Sequence, residues 1–233
     1  MEIYPQLQAY QQNRQKLLAI LLDPDKVSLK NIKKWSKKLR KSKADIVLVG
    51  GSLLSKNHFK KLVKKLKKHC DIPVIIFPGN TMQISKKADA LMFLSLISGR
   101  NAEYLIGKHV EVAPLLKQKK LETIATGYLL IENGHTTSVE YISNTRPIPR
   151  NKTDIAVATA LAGQMLGLQM LYLEAGSGAL HPVPLNMIRQ VAQSVDIPIW
   201  VGGGIRTRAQ VLQAWNAGAD VVVVGTAFEQ GEF

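Results

Sequence analysis

Two glycine turns near the C-terminal end of the chain carry the first chemical signal. The segments PIWVGGGIRTRAQVLQAWNAGAD and VVVVGTAFE each read as strand, glycine turn, helix start. Gly203 and Gly204 have no Cβ, so their backbone N–H groups can come close to an anion. The helix predicted through Ala209 to Trp215 adds the positive end of its dipole. Gly225 and Thr226 repeat the arrangement one unit later. One glycine run alone would fit an ordinary tight turn, but two in successive units predict a phosphate grip. Isomerases, aldolases and synthases share such a grip, so it points to a phosphoester ligand and leaves the reaction open.

The strand before these turns narrows the chemistry. Met170 to Leu180 reads MLYLEAGSGAL, and strand alternation puts Tyr172 and Glu174 on one face. Gly176, Ser177 and Gly178 then supply a further turn able to accommodate an anion. A carboxylate and a phenol beside a phosphate suit a small polyol phosphate: Glu174 accepts hydrogen bonds from hydroxyls, and Tyr172 donates to the phosphate or its ester oxygen. No lysine stands at this strand end, which weighs against Schiff-base chemistry. His58, His109, His135 and His181 are scattered and predict no catalytic pair, with His181 the nearest to the site.

Elements must hold these residues at one place. Apolar, β-branched runs recur at Leu17 to Leu22, Ile46 to Val49, Val74 to Phe77, Ala90 to Leu94, Thr123 to Tyr128, Met170 to Leu173, Ile199 to Val201 and Val221 to Val224. Helix-like or polar stretches separate most of them, which is the βαβ pattern of a parallel sheet. Eight such strands close into a single-domain (β/α)8 TIM barrel of the phosphate-binding type spanning residues 1–233, near the order of 250 residues typical of the fold. The residues after the strands, such as Asp23-Pro24-Asp25-Lys26, Gly50-Gly51-Ser52 and Pro78-Gly79-Asn80, are those of a functional end. Tyr4 to Gln15 reads as an extra N-terminal helix plugging the other end. Only a dozen residues separate Phe77 from Ala90, so a loop is expected in place of the third helix. Few residues follow the eighth strand, so either the last helix is absent or the chain is cut short.

Composition limits the partners. No apolar run reaches the roughly 18 residues of a membrane span, the N-terminus lacks a signal-peptide pattern, and the single Cys70 allows no internal disulfide; a cytoplasmic setting is expected. The formal charge of +14 is concentrated in Lys30 to Lys43 and Lys56 to Lys68. Ile32, Trp35 and Leu39, then Phe59, Leu62, Val63 and Leu66, recur there at helical spacing, predicting two amphipathic helices with lysine outer faces. These faces fit solvent or peripheral contact with anionic lipid; no aromatic platform beside them fits nucleic acid.

The highly specific YLEAGSGA, with LLDPDK and FPGN and the more general barrel features VGGGI and VGTAFE, spread in the right order over nearly the whole chain, resembles the geranylgeranylglyceryl phosphate synthase family and its bacterial heptaprenylglyceryl phosphate relatives. The resemblance implies that Tyr172, Leu173, Glu174, Ala175, Gly176, Ser177, Gly178, Gly203, Gly204, Gly225 and Thr226 bind glycerol 1-phosphate. It implies Mg2+ as cofactor, held by Asp23 and Ser52. One carboxylate and one hydroxyl at adjacent strand ends suit a hard ion that keeps waters and diphosphate oxygens as its other ligands, although Asp-Pro-Asp-Lys would also serve as a helix cap. SLISGRNAEYLIGKHVEVAP resembles the family's fourth unit, which helps to form the prenyl groove, and Tyr104 is the candidate floor of that groove. The family also implies a dimer or a multiple of dimers. No DDxxD aspartate-rich motif occurs, against an all-helical isoprenoid synthase.

The reaction so implied is ether-bond formation between sn-glycerol 1-phosphate and geranylgeranyl or a related polyprenyl diphosphate, releasing diphosphate, with Glu174 and Tyr172 as catalytic residues. Two other readings use the same residues. A sugar-phosphate isomerase or cyclase would use the glycine turns and Asp23 as acid or base, with no need for an oily groove. A non-catalytic module binding anionic lipid or RNA would act through the lysines and survive loss of Glu174.

Overall fold

The computed structural model describes residues 2–233. Eight parallel strands close on themselves in chain order: β1 Leu17–Leu22, β2 Ile46–Val49, β3 Val74–Ile76, β4 Ala90–Ser95, β5 Glu122–Leu130, β6 Met170–Glu174, β7 Ile199–Gly202 and β8 Val221–Val224. Each strand is apolar on both faces because each face is covered. Leu17, Leu48, Met92, Tyr128, Tyr172 and Trp200 fill the barrel interior. Their neighbours Leu18, Val47, Leu91, Leu173 and Val201 point into the layer between sheet and helices. A residue's parity along its strand thus decides whether it can reach the central site.

Helix α1, Ile3–Gln12, closes the N-terminal end of the barrel, as the sequence predicts, with Ile3 and Leu7 packed against the interior residues. Its first N–H groups are satisfied from far along the chain: Ile3 and Tyr4 donate to the two oxygens of Glu122 at 2.6 and 2.7 Å. The lysine-rich segments form α2 (Ile32–Lys41) and α3 (Phe59–His69), their apolar sides buried. Between Ile76 and Ala90 there is no helix, so the loop expected there is present. After β4 a π-helical turn, Glu103–Gly107, leads into α4, Lys108–Lys119. The short α5 (Ser138–Ser143) and α6 (Thr153–Met165) lie between β5 and β6.

The last helices are α7 (Leu185–Ser194), α8 (Arg208–Ala217) and α9 (Thr226–Gln230). A capping box fixes the start of α8: Thr207 accepts from the Gln210 N–H at 3.2 Å, and Gln210 accepts from the Thr207 N–H at 3.2 Å. This cap explains why α8 begins one residue before the predicted start. The helix start read in VGTAFE is present, as a short last helix. Five residues there form α9, whose Phe228 ring stacks at a tilt on Trp35 of α2, centroids 6.1 Å apart. Among the described residues no helix is long and apolar enough to cross a membrane.

Candidate functional site

Glu174 ends β6 and stands at the centre of the site. It is only 6% exposed and lies in register with Leu130 of β5 and Gly202 of β7. The Gly176 N–H donates to its Oε1 at 2.6 Å. Its Oε2 lies beside the Tyr172 hydroxyl, and both occupy space that Gly202 leaves open: a Cβ there would overlap the hydroxyl and come within 3.0 Å of Oε2. Gly203 is constrained twice. Its φ of +85° favours glycine, and a Cβ would collide with Glu174 Oε1 and stand 2.6 Å from the Gly176 nitrogen. The glycines predicted to grip a phosphate therefore also make room for the carboxylate.

Burial sets the electrostatics. Loss of solvent raises the Glu174 carboxyl above the usual range, partly offset by the Tyr172 hydroxyl and the Gly176 N–H. Burial, followed by the charge of Glu174, holds the Tyr172 and Tyr128 phenols well above theirs. Both tyrosines therefore stay protonated, and the Tyr172 hydroxyl has no hydrogen-bond partner in the fold.

A cavity of about 400 Å³ opens over this centre. Tyr172, Glu174, Gly176, Ser177, Gly178, Gly203, Gly204, Gly225, Thr226, Asp23 and Ser52 all line it. The Ser177 and Thr226 hydroxyls are 3.3 Å apart, tying the turns after β6 and β8 together. Leu173 and Ala175 do not join them: by strand parity both point into the sheet–helix layer, and the Ala175 N–H is taken by the Gly202 carbonyl at 3.0 Å. Their side chains do not line the cavity. His181 is exposed and does not line the cavity.

Asp23 and Ser52 line the same cavity. The Asp23 Oδ1 accepts from the Asp25 N–H at 2.9 Å, and its Oδ2 lies 3.8 Å from Lys26 Nζ. Among the described residues no group of three His, Cys, Asp or Glu is placed to hold a metal. A carboxylate with one oxygen free of backbone bonds, sharing a cavity with a hydroxyl, still fits a hard cation that takes most of its oxygens from water and a bound diphosphate. Two further residues in quoted motifs had no assigned role. Glu229 accepts from the Asp23 N–H at 2.7 Å and pairs with Lys26 at 2.9 Å. Burial lowers the Lys26 ammonium, but Glu229 outweighs it and leaves the group raised and charged inside the cavity. Gln83 is fully buried; its amide donates to the Gly51 carbonyl at 2.7 Å and accepts from the Gly51 N–H at 3.3 Å, anchoring the turn that carries Ser52. Only folding brings Gln83 to that turn, so no local motif could have marked it.

A second, apolar hollow of about 140 Å³ adjoins the first. Gly51, Ser52, Phe77, Tyr128, Val139 and Ile142 border both. Phe77, Tyr128 and Tyr172 form an aromatic partition with ring centroids 5.2 to 6.1 Å apart. The hollow continues outward past Ile84, Leu91, Phe93 and Val112, through the space a third helix would fill. Tyr104 lines it, with its hydroxyl 3.4 Å from the Ile142 carbonyl, while buried His109 bonds to Ser95 at 3.2 Å on the same wall.

The family model for the PcrB family matches residues 10–232. The chain belongs to the PcrB family. Within it, the chain is 52% identical to the geranylgeranylglyceryl phosphate synthase of Flavobacterium johnsoniae, over 97% of this chain and 93% of that one. It is 50% identical to the enzyme of the same name from Chitinophaga pinensis, over 92% and 85%. Among solved structures, (S)-3-O-geranylgeranylglyceryl phosphate synthase from Thermoplasma acidophilum, in complex with substrate sn-glycerol-1-phosphate, superposes with a TM-score of 0.92 at 34% identity, over 99% of this chain and 92% of that one.

Proposed function

We infer that this PcrB-family chain is a prenyltransferase that forms an ether bond between sn-glycerol 1-phosphate and a polyprenyl diphosphate, geranylgeranyl diphosphate by likeness to its named relatives. The observation that carries the reading is the buried Glu174 between glycine turns that suit a phosphate and an apolar groove that suits a prenyl tail. A sugar-phosphate isomerase or cyclase has no use for that groove.

In the proposed mechanism, the acceptor's phosphate sits on the turns at Gly203-Gly204, Gly225-Thr226 and Gly176-Ser177-Gly178. Tyr172 donates to the bound ligand, and Glu174 orients the free terminal hydroxyl toward C1 of the donor. As the new C–O bond forms, the bond from C1 to the diphosphate oxygen breaks, the diphosphate leaves, and Glu174 accepts the hydroxyl proton. Lys26 stands where it can face the departing anion. Asp23 and Ser52 are the residues that would hold Mg2+, which would offset charge on the leaving diphosphate. Tyr104 is proposed to limit the tail. A dimer or multiple of dimers is proposed from the family resemblance. Incubation with glycerol 1-phosphate, Mg2+ and donors of several lengths, followed by lipid extraction, tests the reading; absence of a prenylglyceryl phosphate with every donor would refute it.

A further inference from the structure

Four large hydrophobic side chains stand in solvent around the groove: Leu53 is 72% exposed, Met82 76%, Ile106 60% and Tyr141 82%. Each comes from a different segment, and each lies within two positions of a residue that lines the groove, namely Ser52, Thr81, Lys108 and Ile142. Single exposed hydrophobics are common on any surface; these four share the feature of flanking residues that line one groove. None contributes to the acid–base or phosphate chemistry, so their exposure requires another reason.

Charge lies beside one segment of this rim. Helix α3, which follows directly from the loop of Leu53, carries six lysines and no carboxylate. Lys60, Lys61, Lys64, Lys65 and Lys68 are exposed, and among the described residues only Lys67 of this helix has a carboxylate partner, Asp89. Lys86 and Lys87 are exposed on the loop that carries Met82. Apolar side chains bordered by unpaired ammonium groups complement a surface with anionic headgroups above hydrocarbon, and tyrosine suits the boundary between them. RNA would be matched by stacking platforms among the lysines, and these are absent from α3.

We propose that the groove mouth docks on an anionic phospholipid bilayer, with Leu53, Met82, Ile106 and Tyr141 entering the headgroup–acyl boundary and the α3 lysines supplying the attraction. The proposal rests on the prenyltransferase reading in one respect: it would let a hydrophobic donor pass from the bilayer into the groove without crossing water.

Co-sedimentation of the full chain with phosphatidylcholine vesicles, with and without about one third phosphatidylglycerol, tests the docking itself. Binding is expected only to the anionic vesicles and should weaken as salt rises. Lys60→Gln, Lys61→Gln, Lys64→Gln and Lys65→Gln together should reduce partitioning at least about tenfold. Leu53→Ser, Met82→Ser and Ile106→Ser together should remove the binding that survives high salt. All seven positions are exposed, and unchanged circular dichroism would confirm the fold. Equal binding to both vesicle types, or none to either, overturns the proposal. A lower mass of the rim variant by light scattering without vesicle binding also overturns it, assigning the face to a second copy of the chain; capture by RNA without vesicle binding does the same. The lysine variant should keep its turnover on a dissolved short-chain donor while losing it on a donor presented in anionic vesicles. Failure of the wild type on every donor would refute the prenyltransferase reading and leave the vesicle result standing.

Discussion

Glu174 is a carboxylate kept from water, held by one N–H and flanked by one phenol, an environment that makes it a better base than an exposed glutamate. As the base it must be ionised, so turnover should rise with pH along a limb displaced upward from the ordinary carboxylate range. Glu174→Gln should lower turnover by roughly 10²-fold or more. The same substitution should stabilise the fold at neutral pH. Because the folded carboxyl keeps its proton to higher pH than the unfolded one, wild-type stability falls as pH climbs from the ordinary carboxylate value through the raised one. Gln carries no such penalty. The gain would appear as a higher melting point near neutral pH that vanishes as pH falls below the ordinary carboxylate range. Equal turnover, or a lower neutral-pH melting point, would make Glu174 a structural carboxylate. Asp23→Asn keeps the shape and removes a hard anionic oxygen, so the Mg2+ concentration for half-maximal turnover should rise several-fold. An unchanged titration would place the metal elsewhere.

At the scale of elements, the loop in place of a third helix opens the groove, and the buried Gln83 within it holds Gly51. Gln83→Leu preserves volume but strips the Gly51 N–H and carbonyl of their partners. It should cost about 1–3 kcal/mol in denaturant melts and reduce turnover through the displaced Ser52 turn. Wild-type stability would show that the Gly51 groups find other partners. Tyr104→Ala should spare reaction with a C20 donor and improve it with a longer one; parallel loss on both, or no change on either, would make Tyr104 a packing residue. The strands were legible because both faces are buried, leaving continuous apolar runs such as VVVV and LLAILL, and strand parity correctly paired Tyr172 with Glu174. The same parity turns the side chains of Leu173 and Ala175 away from the cavity. Gln83 and the roles of Lys26 and Glu229 were illegible because they depend on contacts between segments 32 and 203 positions apart.

The whole molecule joins two solvents: a polar cavity for a small phosphate and an oily groove for a long chain, separated by three aromatic rings. That layout, and not the barrel alone, distinguishes an ether-forming enzyme from the many barrels that hold phosphates. The acceptor side of the claim is the most exposed to test, since fixed groups on β6, β7 and β8 meet a chiral triol phosphate from several directions. Initial rates with sn-glycerol 1-phosphate and sn-glycerol 3-phosphate, under identical Mg2+ and geranylgeranyl diphosphate, should favour the 1-phosphate by roughly tenfold or more, read as ether-lipid product. Equal rates with the two enantiomers would contradict the account.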